Sequence, residues 1–118
     1  MEITRPEEYE KEYNDCAVRA LSLAANIEYA KVHSAFQLAG RKDKHKVRCD
    51  KIISKVANLL GINIKLIKRS GSAAKLIKQY PKGRIFVLKS KHAFTIIDGV
   101  AHDLQGDLSR IKRAWLIQ

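Results

Sequence analysis

The sequence predicts an α+β protein, with helices gathered in the first half and an antiparallel sheet in the second. Two observations carry that prediction. Apolar residues recur at helical spacing up to about Leu60, with glycines after the second and third periodic runs. After Pro81, short apolar runs of strand length follow one another, two of them separated by Asp98-Gly99. Runs of helices followed by runs of strands indicate α+β rather than a doubly wound α/β arrangement. At 118 residues and 46% hydrophobic content, the chain reads as one domain able to bury a core without disulfides.

Residues 1–12 read as an N-terminal arm, with Pro6 and clustered glutamates. From Asn14 to about Ile27 the pattern is helical and apolar nearly all round, the mark of a helix buried on most sides. Asn14 or Asp15 is expected to cap it by accepting from the first-turn N–H groups. A second helix, about Glu28 to Ala39, puts Tyr29, Val32 and Phe36 on one stripe and stops at Gly40, with His33 read as a helix-face residue. Residues 41–47 form a charged loop. A third helix, Asp50 to Leu60, is expected to bury Ile52, Ile53, Val56, Leu59 and Leu60 before ending at Gly61. Ile62, Ile64 and Leu66 alternate with Asn63 and Lys65, as in a half-buried strand. Ser72 can cap a short helix to about Gln79, stopped ahead of Pro81. Strands are then expected at Arg84–Leu88, His92–Ile97, Val100–Leu104 and Arg113–Ile117.

Charge is unevenly spread within a net +11. Residues 1–15 carry six acids against two bases, and residues 41–91 carry sixteen bases against two acids. A basic segment of this kind attracts an acidic protein or a nucleic acid, and Lys42, Lys44, Lys46 and Arg48 are its densest stretch. The plainer reading is a lysine-rich solvated surface, since no arginine–aromatic series marks a base-stacking platform. No run of apolar residues is long enough to span a membrane, and the acidic, polar start lacks the features of a secretory signal. A cytoplasmic location with reduced thiols is therefore expected. His45 and Cys49 have a ligand-like interval, but without a paired Cys-x-x-Cys no metal is expected; nor is any cofactor, because no glycine-rich phosphate loop is present. Cys49 reads as structural.

The chemistry concentrates elsewhere. Cys16 falls in the first turn of the first helix, where the positive end of the helix dipole favours a thiolate. His92 would take the thiol proton and later protonate a leaving group. If Asp98-Gly99 makes a two-residue turn, Ile97 faces Val100 and the pairing runs outward until Phe94 faces Asp103. That register sets Asp103 diagonal to His92 on one face, near enough to orient the imidazole, with His102 on the other face. A lone cysteine in a buried helix is more often a core residue; the coupled His and Asp reverse that preference.

These blocks carry a resemblance. Asn14-Asp15-Cys16-Ala17-Val18-Arg19-Ala20-Leu21, Gly83-Arg84-Ile85-Phe86-Val87-Leu88 and the stretch from His92 to Asp103 look like small phage-encoded proteins of the papain-like cysteine peptidase superfamily. The Asp-Cys pair is also similar to that of its bacteriocin-processing peptidases. The resemblance leaves the basic middle of the chain unmatched. It implies a papain-like fold, with Cys16 as nucleophile, His92 as general base and Asp103 as orienter, acting on a protein or peptide substrate. Peptide hydrolysis leads; deamidation, isopeptide cleavage or acyl transfer would use the same groups. A phage origin would make the location the host cytoplasm. The superfamily places an oxyanion-binding glutamine six residues before the cysteine, where this chain has Glu10, so Asn14 is the substitute donor. A weak or inactive scaffold acting as a basic binding protein, such as an inhibitor of a host enzyme, is the alternative.

Overall fold

The computed structural model describes residues 6–9, 14–42, 44–45, 50–68, 71–89, 92–102 and 111–118. Helices α1 (Cys16–Ala25), α2 (Tyr29–Leu38) and α3 (Asp50–Leu60) precede strand β1 (Ile64–Leu66) and helix α4 (Ala73–Gln79). Strands β2 (Arg84–Leu88), β3 (Ala93–Ile97), β4 (Val100–His102) and β5 (Arg113–Ile117) follow. They form one five-stranded antiparallel sheet in the order β1-β5-β2-β3-β4. No helix among the described residues is long and apolar enough to cross a membrane.

Strand alternation divides the core in two. Phe86, Leu88, Ala93 and Trp115 join α1, α2 and α3 on one face, with the Phe86 and Trp115 rings 5.7 Å apart. Ile85, Val87, Phe94, Ile96 and Ala114 join Ala73 and Leu76 of α4 on the other. The central strands β2 and β3 are therefore covered on both sides, which is why they read as continuous apolar runs.

Local signals account for most element limits. Ser72 accepts from the Lys75 N–H at 3.2 Å, the expected cap of α4. Asp98 (φ 47°) and Gly99 (φ 81°) both take positive φ, the mirror-image turn that matches strand twist. Ile97 pairs with Val100, Ile96 with Ala101 and Thr95 with His102, as the turn residues predict. Asp98 also locks the turn to the start of β2: Gly83 N–H donates to its carboxylate at 2.9 Å, and its own N–H donates to the Gly83 carbonyl at 2.8 Å.

Several expectations need correction. Asp15 occupies the position before α1 but makes no side-chain cap; its carboxylate bonds elsewhere, and its φ of −103° and ψ of 22° fall outside the extended geometry a cap needs. Leu59 is 52% exposed, because the stripe that α3 buries runs through Ile53, Val56, Ala57 and Leu60, and Leu59 falls off it. Leu66 is 45% exposed, because β1 is an edge strand that, among the described residues, pairs with β5 alone. The ladder of β3 starts at Ala93, one residue after His92, and the last expected residues of β4 lie outside the described residues.

Candidate thiol site

Two hydrogen bonds fix how α1 lies on the sheet. The buried Thr95 hydroxyl donates to the Ala20 carbonyl at 2.5 Å, and Arg84 Nη1 donates to the Leu23 carbonyl at 2.8 Å. Arg84 is paired with Ile97 in the ladder. Passing from Ala20 to Leu23 along the helix thus follows β3 from Thr95 to Ile97, and the two elements run in the same sense. Four helical residues back from Ala20 is ~6 Å, and two strand residues back from Thr95 is ~6.6 Å. By that reckoning Cys16 is about level with Ala93, the residue after His92, and both belong to the core on the α1 face.

Cys16 is the first residue of α1 and is half-buried. Its amide lies in the first turn of α1, where backbone N–H groups point out of the helix end toward any developing negative charge. Asn14, at φ 55°, is exposed and donates through its amide nitrogen to the Lys44 carbonyl at 3.1 Å. An amide nitrogen carries two protons, so that bond uses one of its donors.

His92 is half-buried and precedes the β3 ladder, with its carbonyl accepting from the Lys89 N–H at 2.7 Å. Its ring lies nearly parallel to that of Phe94, at 14° and 6.5 Å between centroids. Phe94 belongs to the face opposite α1. Cys16 thus comes level with the start of β3 on the α1 face, while the His92 ring lies beside a phenyl ring of the opposite face. Asp103, Glu10, Cys49, Lys46 and Arg48 lie outside the described residues. Lys42 and Lys44 are exposed, in a loop where buried Arg41 donates through Nε to the His45 carbonyl at 2.9 Å.

Sequence reasoning missed two features of this neighbourhood. Asp15, 1% exposed and adjacent to the thiol residue, accepts from the Tyr29 hydroxyl at 2.7 Å and lies 3.2 Å from Arg19 Nε. Tyr29 in turn packs with Tyr9 at 4.8 Å and His33 at 5.7 Å, and Tyr9 lies 4.8 Å from His33. His33, on the second helix as expected, is buried with its ring against Tyr9 of the 3₁₀ turn Glu7–Tyr9. The four-residue interval from Tyr29 to His33 was the available signal. The second feature is His102, whose ladder partner Thr95 faces α1, giving that side of the sheet its own imidazole. Its Nδ1 is buried and has no hydrogen-bond partner among the described residues.

No three His, Cys, Asp or Glu residues gather as a metal site among the described residues. Comparison with protein families, curated proteins and solved structures returns no match.

Proposed function

We propose that the protein is a papain-like thiol hydrolase of protein or peptide amide bonds, with Cys16 as nucleophile, His92 as base and Asp103 as orienter. The observation that carries the reading is a partly accessible cysteine opening a buried helix, level with the residue that follows His92. The register of the β3–β4 hairpin, which runs as expected through Thr95 and His102, supports the pairing of Asp103 with His92. In this reaction Cys16 Sγ attacks the carbonyl carbon and its proton passes to the imidazole. The C–N bond breaks as the imidazolium returns that proton to the amine, and water then hydrolyses the thioester. The Cys16 N–H and the Asn14 amide hold the oxyanion. Tyr29 and Arg19 tie back the neighbouring Asp15 carboxylate, which limits its repulsion of the thiolate.

Alkylation in a Cys49→Ser background tests the assignment. An ordinary thiol is a few per cent thiolate at pH 7, so an activated Cys16 reacts with iodoacetamide roughly tenfold faster. His92→Ala is expected to remove that advantage, and Cys16→Ala to remove labelling. An unchanged rate in His92→Ala overturns the assignment. A loss confined to His102→Ala transfers the base to the imidazole on the helix side of the sheet.

A second reading, a basic binding scaffold, is favoured by Lys42 and Lys44, exposed on a loop that Asn14 fastens beside the thiol.

A further inference from the structure

The outer helices leave an apolar groove that the thiol chemistry does not use. It encloses about 650 Å³ between α2 and α3, lined by Ala30, Lys31, Ser34, Leu38, Leu59 and Leu60 among others. Leu38 is 78% exposed and Leu59 is 52% exposed, a large apolar area for two helices otherwise committed to the core. On α2, Ala30, Ser34 and Leu38 recur at four-residue intervals, so two small side chains and a leucine line that side of the groove. On α3, Lys51, Lys55 and Leu59 share a stripe by the same spacing, and all three are exposed. Lys31 adds a cation within the lining; Glu28, just before α2, is the carboxylate at that end.

We infer that this groove docks an acidic amphipathic helix of another protein, with apolar side chains entering between α2 and α3 and carboxylates meeting Lys31, Lys51 and Lys55. A helix suits the shape, because small residues on α2 let a third helix approach while Leu38 and Leu59 flank its apolar stripe. Charge selects the partner. A second copy brings the same lysines, and a net charge of +11, against this face, whereas a partner with carboxylates flanking its apolar stripe is attracted to it. The groove thus serves recognition, whether or not Cys16 is a nucleophile.

The probe is an 18-residue synthetic peptide with leucines at i, i+3, i+4 and i+7 spacing and glutamates on its remaining face, titrated into the Cys16→Ala protein so that binding is read apart from thiol chemistry. Fluorescence anisotropy is expected to show saturable binding, with amide NMR shifts centred on Ser34, Leu38 and Leu59. Leu38→Gln with Leu59→Gln, both exposed positions, should weaken binding at least tenfold. Lys31→Gln with Lys55→Gln should weaken it several-fold and flatten its salt dependence. A scrambled peptide of the same composition should bind at least tenfold less tightly. Equal binding of the scrambled peptide, indifference to the leucine changes, or a concentration-dependent dimer abolished by Leu38→Gln overturns the inference.

Discussion

Tyr29 holds a buried carboxylate in place next to the candidate nucleophile. Its hydroxyl is 2.7 Å from Asp15 Oδ2, in a site 1% exposed, where water cannot replace it. Removing one partner of a buried, charged hydrogen bond costs about 1–3 kcal/mol. Tyr29→Phe keeps the ring packing against Tyr9 and His33 and deletes only that donor. Urea denaturation should therefore show a loss of stability in that range; an unchanged midpoint would show that Arg19 alone suffices. Tyr29 was legible as a core residue from its stripe with Val32 and Phe36. Its bond to Asp15 was not, because it joins the start of one helix to the residue before another, an encounter that periodicity does not encode.

At the scale of elements, the β3–β4 hairpin sets the position of the proposed imidazole relative to its partners. Its register follows from two residues in left-handed conformations, and Gly99 at φ 81° is the one lacking a Cβ. A Cβ there would meet only ordinary contacts, 3.5 Å from the Pro81 carbonyl and 3.6 Å from Ile77 Cγ2, so backbone strain is the main penalty. Gly99→Ala should lower stability by about 1 kcal/mol, read as a shifted thermal midpoint with the fold intact. Turn and register were readable because they are local: two residues and strict alternation decide them. The face on which α1 lies needed the Thr95–Ala20 and Arg84–Leu23 bonds, which link residues more than sixty positions apart. The exposure of Leu59 illustrates the same limit, since an apolar letter at the end of a helix does not say which stripe the neighbours cover.

Over the whole molecule, sixteen of the bases fall within residues 41–91, and two of them, Lys42 and Lys44, stand exposed beside the start of α1. If that loop grips a polyanion, affinity for a random-sequence DNA duplex falls steeply between low and moderate salt. Lys42→Gln with Lys44→Gln should then reduce the slope of log affinity against log salt by about two, near one for each phosphate no longer neutralised. A slope that does not change leaves these lysines as solvated surface. This measurement is independent of the alkylation of Cys16, so the binding and thiol-hydrolase proposals are tested separately.

The sequence by itself determined the α+β class, the limits of the later helices and central strands, and the hairpin register. Each of these depends on side-chain periodicity or on turn residues within a few positions of one another. Only the tertiary structure decided the strand order, the placing of α4 on the face opposite α1, and the level of Cys16 beside the start of β3. It also decided the burial of Asp15 with Tyr29 and the exposure of Leu38 and Leu59. Those outcomes depend on which buried surfaces meet, and that is settled by packing between residues remote in the chain.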